Sequence, residues 1–323
     1  MANADQVKLL IKSHFNDEQE RFYTVALQIA ASEARQGHAA LANDIMKLIE
    51  KGKRERRSNV ISFPRDLRAL VLTTIPDISY SALVVPQKMR KRISRILHEY
   101  RYMDKLKAYG LKHRRKILLI GPPGTGKTMT ASILAKELTL PLQTIQVDRL
   151  VTKFMGETSA KLRQIFDLIE QECAVYFFDE FDAIGGERSK DNDVGEMRRV
   201  LNSFLQFIEQ DTSDSLIVAA TNNPGLLDQA LFRRFDDILY YELPDHSQQK
   251  QLISNVLGVF LKKNLNWQIV LAESNGLSHG EIADAVRNAI KEAILAGEKQ
   301  VDEEKLLIMI EEKKDARKGC SKE

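Results

Sequence analysis

Apolar residues within the first fifty positions recur at every third or fourth residue. They do so in three stretches, and the clearest of them carries Phe22, Val25, Ala26, Ile29 and Ala30. Gly37 and Gly52 end the second and third stretches. Because this spacing places apolar side chains on one face of a helix, it predicts three short amphipathic helices. We expect them to form a small N-terminal helical bundle over 1–50.

Between residues 116 and 243 the apolar positions form short continuous runs. The runs lie at 116–120, 142–147, 174–178, 216–220 and 238–243. Helical spacing recurs between them, as at 160–170 and 195–208. Continuous apolar runs are typical of strands that are buried on both faces, and alternation of strand and helix favours a parallel sheet. The pattern therefore predicts an α/β fold with helices on both faces of a parallel sheet.

After Pro244 only helical patterns remain, at 247–261, 281–296 and 302–313, and they predict a small helical lobe over 245–323. Ahead of the sheet, a basic amphipathic pattern over 87–107 predicts a helix that packs on the larger domain. Residues 51–80 are interpreted as a linker that opens with KGKRERR at 51–57. Such a charge run is usually solvated, but a contact with an acidic partner or nucleic acid stays open.

Composition and charge narrow the classes of protein. The chain has 323 residues, 43% of them hydrophobic, which is enough for a buried core. Its formal net charge is only +3, so a general electrostatic attraction to nucleic acid is weak. The longest apolar run is 173–178 and the N-terminus is polar, so we expect a soluble, cytoplasmic protein without membrane contacts. Cys173 lies in that apolar run and is expected in the core, while Cys320 lies in a charged tail.

A glycine-rich segment, GPPGTGKT, joins the first predicted strand of the sheet to a helical pattern at 129–138. This context is typical of a phosphate-binding loop, in which backbone N–H groups and the helix N-terminus face phosphate oxygens. Lys127 is expected to neutralise the terminal phosphates, and the Thr128 hydroxyl to bind Mg²⁺. The candidate nucleotide-binding residues are Gly121, Pro123, Gly124, Thr125, Gly126, Lys127, Thr128 and Met129.

An acidic pair follows the buried run at 174–178. Asp179 and Glu180 stand at the carboxyl end of that predicted strand, where ligands bind in parallel α/β sheets. Asp179 is suited to hold Mg²⁺, and Glu180 to polarise the attacking water. The sequence therefore predicts a site for ATP and Mg²⁺.

Four segments in this order resemble the motifs of AAA ATPases, the family that includes katanin, spastin and the FtsH-type proteases. They are GPPGTGKT at 121–128, FFDEFDAIGGER at 177–188, ATN at 220–222 and FRRFD at 232–236. The resemblance implies a large α/β ATPase subdomain at 81–244 and a helical lid subdomain at 245–323. It also implies hydrolysis of ATP to ADP and phosphate by a ring of identical subunits, expected to be a hexamer. Residues 1–50 lie outside it and are interpreted as an adaptor-like domain.

The resemblance assigns further catalytic roles. Asn222 corresponds to the sensor residue that helps to hold water against the γ-phosphate; a turn-forming Asn is the alternative. Arg233 and Arg234 fall where the family presents arginine fingers to the nucleotide of a neighbouring subunit. Because these two arginines are adjacent here, which of them reaches the phosphate stays open. A surface ion pair with Asp236 or Asp237 is the alternative for one of them.

KFMGET, at 153–158, resembles the family's pore loop, which grips an extended polypeptide in the central channel. The resemblance makes Phe154 and Lys153 candidates for contact with substrate, since an aromatic face binds chain without demanding a sequence. A Phe that packs beneath its loop is the alternative. In the lid, the resemblance places His279 and Gly280 near ribose or adenine. Ahead of the first predicted strand of the sheet, it places Gly110 near the base. Arg287 lies about two turns after Gly280, and no second sensor is assigned.

These assignments favour an ATP-driven motor that remodels, unfolds or threads a protein substrate. A motor or loader acting on DNA or RNA is the alternative, supported by the basic stretches at 51–57, 88–95 and 112–116. A nucleotide-dependent scaffold without turnover fits less well, because both Asp179 and Glu180 are present. His98-Glu99 is followed by Tyr102 where a HExxH zinc site needs its second His, so any proteolysis is expected from a separate partner chain.

Overall fold

The computed structural model describes residues 8, 13, 19–35, 38, 41–47, 70–150, 155–181, 193–226, 232–262 and 264–320. The chain divides into two compact units, Met1–Ser62 and Phe63–Glu323. Of the described helices, none is both long and apolar enough to cross a membrane.

The first unit contains helix α1 (Gln19–Arg35) and a further helical segment at 41–47. The stripe predicted for α1 is present, since Val25, Ala26, Ile29 and Ala30 are buried. In the second segment the buried residue is Ala42, whereas Leu41 is half exposed. The first of the three predicted helices lies largely outside the described residues, so the predicted bundle stays a prediction.

The second unit is built on a six-stranded sheet in the order β1-β3-β4-β5-β2-β6. The strands are β1 (Val71–Thr74), β2 (Lys116–Ile120), β3 (Leu142–Ile145), β4 (Val175–Phe178), β5 (Leu216–Thr221) and β6 (Asp237–Tyr240). All neighbouring pairs are parallel except β1 and β3, which are antiparallel. The predicted α/β class with a parallel sheet is confirmed.

Strand β1 lies within the segment that was predicted to be a linker. Val71 pairs with Ile145 of β3 and is buried, while the next three residues are exposed. The Thr73 hydroxyl donates to Gln143 Oε1 of β3 at 2.7 Å. The described part of 51–80 is therefore an edge strand of the sheet and the chain that follows it.

Helices cover both faces of the sheet. They are α2 (Gln87–Arg101), α3 (Met103–Ala108), α4 (Lys127–Leu138), α5 (Val147–Leu150), α6 (Met155–Gln171) and α7 (Asp193–Gln210). Successive strand residues point to opposite layers: Leu118 and Ile120 join the core beside α6 and α7, whereas Ile117 and Leu119 join the core beside α2 and α4. The single helix predicted over 87–107 is divided at Tyr102, where the chain leaves helical geometry.

Two smaller features show how tertiary contacts fix this lobe. Cys173 was expected in the core, but it lies ahead of β4 and is exposed. Its Sγ lies 3.2 Å from Tyr100 Oη. Arg115, at the start of β2, forms a buried ion pair with Asp211. The Asp236 carboxylate accepts the backbone N–H groups of Arg115 and Lys116, both at 2.9 Å, which ties the start of β2 to the chain ahead of β6.

Within the described residues after the sheet there are four α-helices: α8 (His246–Leu257), α9 (Trp267–Glu273), α10 (His279–Leu295) and α11 (Glu303–Cys320). They share their own core, with Ile253, Val270, Ile282, Val286 and Ile310 at its centre. Capping boxes start α8 at Asp245 and α10 at Ser278, so side chains satisfy the first backbone N–H groups of both helices. We call these four helices the helical lobe, and residues 70–245 the large lobe.

Candidate active site

The loop between β2 and α4 has a backbone that requires glycine. Gly121, Gly124 and Gly126 have φ angles of 153°, 72° and 101°. A Cβ on Gly121 would lie 2.3 Å from the Tyr241 carbonyl oxygen, and one on Gly124 would lie 2.5 Å from Ser278 Oγ. The loop therefore curls tightly at the end of β2. It lies close to Tyr241, which follows β6, and to Ser278, which precedes α10.

Lys127, the first residue of α4, is held at the centre of this loop. Its side-chain ammonium donates to the carbonyl oxygens of Gly121 at 2.7 Å and Pro122 at 2.9 Å, and to Asn222 Oδ1 at 2.7 Å. Only 7% of Lys127 is exposed. These bonds fix a positive charge between the ends of β2 and β5, where it would meet an anion.

The acidic pair stands at the end of the neighbouring strand β4. Asp179 Oδ2 accepts the Thr128 hydroxyl at 3.1 Å, and Asp179 Oδ1 accepts the Glu180 backbone N–H at 3.0 Å. Glu180 has φ +50°, a left-handed conformation that costs a non-glycine residue about 1–3 kcal/mol. The Glu180 side chain is exposed at the end of β4.

A cavity of about 520 Å³ lies in front of these groups. Lysine, threonine, carboxylate and amide side chains from the ends of β2, β4 and β5 line one side of it. The helical lobe lines the other side with a mixture of apolar and polar residues. The large-lobe residues are Ala82, Leu83, Val84, 123–129, Asp179, Glu180 and Asn222, and the helical-lobe residues are Leu252, Asn255, Val256, His279, Gly280, Ala283 and Arg287.

The helical lobe contacts the loop through the first turn of α10. The Gly280 N–H, one of the donors that a helix start leaves unused, donates to the Gly124 carbonyl oxygen at 2.8 Å. Beside it, burial lowers the pKa of the His279 imidazole below its usual value. Both imidazole nitrogens are buried, so His279 adds little polar surface to the cavity.

Comparison with known proteins decides the family. Residues 117–243 match the model described as ATPase family associated with various cellular activities (AAA). A protein of Sinorhizobium fredii named uncharacterized AAA family ATPase y4kL is 34% identical over 316 residues, which cover 94% of this chain and 93% of that protein. The chain belongs to the AAA ATPase family. It binds nucleotide and hydrolyses ATP, as the family resemblance of its motifs predicted.

Other relatives are larger proteins. An ATP-dependent zinc metalloprotease FtsH of Chloroflexus aggregans is 28% identical over 249 residues, which cover 74% of this chain and 37% of that protein. A putative cell division cycle ATPase of Plasmodium falciparum is 28% identical over 255 residues, which cover 77% of this chain and 21% of that protein. The chain thus spans well under half of these two relatives, and the similarity lies in a part of each.

Most residues predicted for nucleotide binding line the AAA cavity. Gly121 lies outside the lining, and its carbonyl oxygen accepts from Lys127. Gly110 does not lie among the lining residues, and its expected position near the base stays a prediction. Its N–H donates to the Lys107 carbonyl oxygen at 2.9 Å in the turn that ends α3. The chain at Ala82, Leu83 and Val84 lines the cavity instead.

The two arginines of FRRFD lie outside the cavity lining and differ in their contacts. Arg234 Nε lies 3.2 Å from Glu209 Oε2. Arg233 is exposed and makes no ion pair with another described residue. Neither arginine pairs with Asp236 or Asp237 in the described part of the chain, because Asp236 accepts backbone N–H groups and Asp237 pairs with Arg92. The predicted pore-loop residues Lys153 and Phe154 lie outside the described residues.

Sequence reasoning missed part of the lining. The run 83–85 was recognisably apolar but carried no motif, and Leu252, Asn255 and Val256 look like any other turn of an amphipathic helix. Ala283 and Arg287 offered a weak signal, since they follow Gly280 at a spacing that keeps one helix face.

Proposed function

We propose that the chain is an AAA motor that assembles into a ring, with a hexamer expected, and uses ATP hydrolysis to remodel, unfold or thread a protein substrate. One observation carries the proposal: Lys127, Thr128, Asp179, Glu180 and Asn222 meet at one cavity from the carboxyl ends of three adjacent strands. The rest of the proposal follows from family membership and from residues outside that cavity.

Each of these residues has a role that fits its position. Lys127 binds the terminal phosphates, since its ammonium already lies among oxygen acceptors at the loop. Thr128 and Asp179, whose oxygens lie 3.1 Å apart, are the hard oxygen ligands that suit Mg²⁺. When bound, Mg²⁺ would neutralise charge on the phosphates. Glu180 accepts a proton from the attacking water and Asn222 orients it.

Assembly is proposed from Arg233. An exposed arginine without an ion pair in the described chain is available to a neighbouring subunit, whereas Arg234 is engaged by Glu209. An arginine delivered in trans stabilises charge that develops on the transferred phosphate. Hydrolysis would then depend on contact between subunits.

Action on a polypeptide is proposed from the pore-loop resemblance of Lys153 and Phe154. Residues 1–50 would select the partner or adaptor, consistent with the separate compact unit that contains them. The FtsH relatives are named as proteases; for this chain we propose that any proteolysis belongs to a separate protease. A cytoplasmic location completes the proposal.

Action on nucleic acid is the second candidate, and one observation favours it. Lys88, Lys91 and Arg95 are exposed on one face of α2, opposite its buried stripe, and make no ion pair within the described residues. Such a row of cations suits a phosphate backbone, but the small net charge of +3 argues against a general polyanion surface.

One experiment tests both candidates. Glu180→Gln, held with ATP, is isolated by light-scattering chromatography, and its binding of fluorescent unfolded casein and of single-stranded DNA is measured at two salt concentrations. We expect a ring that binds casein, weaker casein binding in Glu180→Gln/Phe154→Ala, and unchanged ATP binding. A monomer, or casein binding that ignores Phe154, would contradict the proposal. Salt-sensitive DNA binding that is lost when Lys88, Lys91 and Arg95 become Ala would favour the second candidate.

A further inference from the structure

Arg287 is the only Lys or Arg that the described helical lobe contributes to the cavity lining. It lies in the third turn of α10, on the face that carries Gly280 and Ala283. No motif of the sequence marks it. Its presence in the lining therefore calls for an account of what a cation does on this side of the cavity.

Arg287 stands at a distance from the phosphate loop. Gly280 touches the loop through its bond to Gly124, and seven residues of helix displace Arg287 from Gly280 by about 10 Å. Among the residues that line the cavity, Val84 from the large lobe, Leu252 and Val256 from α8, and Ala283 from α10 are apolar. Flat apolar walls are typical of the part of a site that holds a base.

Besides His279, the helical lobe contributes two polar side chains to the lining, Arg287 from α10 and Asn255 from α8. A guanidinium offers five donors and no acceptor, while an amide offers both kinds of group. Ribose oxygens and purine ring nitrogens are acceptors that such donors can satisfy. The pair is thus suited to the polar edge of a nucleoside that is otherwise enclosed by apolar residues.

A neighbouring carboxylate sets the resting position of Arg287. Its Nη1 lies 2.8 Å from Asp284 Oδ1, and the two side chains are 59% and 54% exposed. An exposed pair of this kind is weak. Lys313 Nζ of α11 lies 3.9 Å from the other Asp284 oxygen. Asp284 therefore keeps a cationic neighbour if Arg287 turns toward the cavity.

We propose that Arg287, together with Asn255, binds the nucleoside part of the nucleotide, and that Arg287 leaves Asp284 when it does so. This inference rests on the nucleotide site of the proposed function and deepens it. Arg287 on this account is a binding and specificity residue that acts equally on ATP and ADP. An arginine that contacts the γ-phosphate would instead raise the affinity for ATP over that for ADP and would change the rate of hydrolysis.

The test compares affinities for ATP and ADP by titration calorimetry, with kcat measured at saturating ATP. The variants are Arg287→Met, which keeps side-chain bulk, and Lys291→Met, a matched control one turn further along α10 that does not line the cavity. We expect Arg287→Met to lower the affinities for ATP and ADP by the same factor, about tenfold for the loss of one charged hydrogen bond. The kcat at saturating ATP should be unchanged. Lys291→Met should change neither affinity.

Two results would overturn the inference: a loss confined to ATP with a lower kcat, which assigns Arg287 to the γ-phosphate, or unchanged affinities in Arg287→Met. The proposed catalytic roles would survive both results, because wild-type hydrolysis and its loss in Glu180→Gln are measured in the same assay. A wild-type protein that bound neither nucleotide would refute the proposed site and this inference together.

Release from Asp284 has its own test. Asp284→Asn should raise the affinities for ATP and ADP about twofold to threefold, because it removes an exposed ion pair that competes for Arg287. In Asp284→Asn/Arg287→Met the gain should disappear. An equal gain in the double variant would show that Asp284 acts only through its charge and would overturn the proposed exchange.

Discussion

The large lobe and the helical lobe build opposite sides of one cavity by different means. The large lobe supplies charged and polar groups that are held in place, as Lys127 is by three oxygen acceptors while only 7% exposed. The helical lobe supplies apolar residues, Asn255, His279 and one weakly held cation, Arg287, whose side chain is 59% exposed. The difference suggests that the helical lobe contributes to nucleotide affinity but not to the chemical step, whereas the large lobe contributes to both.

This comparison has a physical basis. Groups that stabilise a transition state are most effective when they need no reorganisation during the reaction. The bonds of Lys127 to Gly121, Pro122 and Asn222, and the bond between Thr128 and Asp179, provide that rigidity. A residue that only adds binding energy can be mobile, because it acts on ground state and transition state alike.

The largest effect is expected from the large lobe of a neighbouring subunit. Arg233→Ala should lower kcat about a thousandfold, as loss of an arginine finger does. Arg234→Ala should lower it less than tenfold, since Arg234 is held by Glu209. Neither change should alter ATP affinity. Steady-state ATPase rates over a range of protein concentrations measure both effects.

A mixing experiment controls for misfolding of the arginine variants. Subunits with Arg233→Ala and subunits with Glu180→Gln should regain part of the activity when combined, because some interfaces then hold one intact Glu180 and one intact Arg233. A fully active monomeric wild type, or a larger loss from Arg234→Ala than from Arg233→Ala, would contradict the assignment.

A smaller effect should separate two functions within the large lobe. Glu180→Gln should lower kcat about a hundredfold or more and keep ATP binding, because an amide cannot accept the proton of water. Lys127→Ala should weaken ATP binding about tenfold to a hundredfold, because it removes a charged hydrogen bond donor. Calorimetry on both variants, with single-turnover rates for Glu180→Gln, distinguishes them. Comparable turnover of Glu180→Gln and wild type would eliminate its role.

Sequence patterns predicted the large lobe well because its central strands β2, β4 and β5 are buried on both faces. Continuous apolar runs marked five of the six strands, and the loop after β2 needs glycines that stand out in any sequence. Strand β1 was missed because Val71 is its one buried residue. Its strand geometry is imposed by pairing with β3, a tertiary contact that local sequence does not record.

The helical lobe's share of the site was less predictable. Leu252, Val256 and Ala283 face the cavity, yet apolar residues at helical spacing equally predict a helix–helix contact. The direction in which Arg287 faces depends on how α10 docks at Gly124. Packing between the lobes depends on residues that are far apart in the sequence and was therefore hard to predict. The phosphate-binding loop is a contiguous motif and could be recognised directly.

The smallest effect should come from two glycines that face each other across the lobes. Gly124→Ala forces φ +72° on an alanine and places its Cβ 2.5 Å from Ser278 Oγ, so ATP affinity should fall. The left-handed strain, about 1–2 kcal/mol, is a cost to folding stability. The close contact with Ser278 additionally displaces the loop, and a loss of about 1.4 kcal/mol of nucleotide binding would lower ATP affinity about tenfold. Gly280→Ala has its nearest contact at 3.4 Å and sits in a helix, so ATP affinity should stay within about twofold and helix propensity should raise Tm slightly.

Gly110→Ala is the matched control for this pair, because Gly110 has a similar φ of +71° but no atom within 4 Å of an added Cβ. It should cost stability through backbone strain and leave ATP affinity unchanged, since Gly110 lies outside the cavity lining. Thermal unfolding and calorimetry on the three variants give the comparison. If Gly124→Ala matched Gly110→Ala in affinity, close contact with α10 would not matter for binding. If Gly280→Ala weakened ATP binding as much as Gly124→Ala, the helical lobe would tolerate an added side chain no better than the loop does. The proposed difference between the two lobes would then fail.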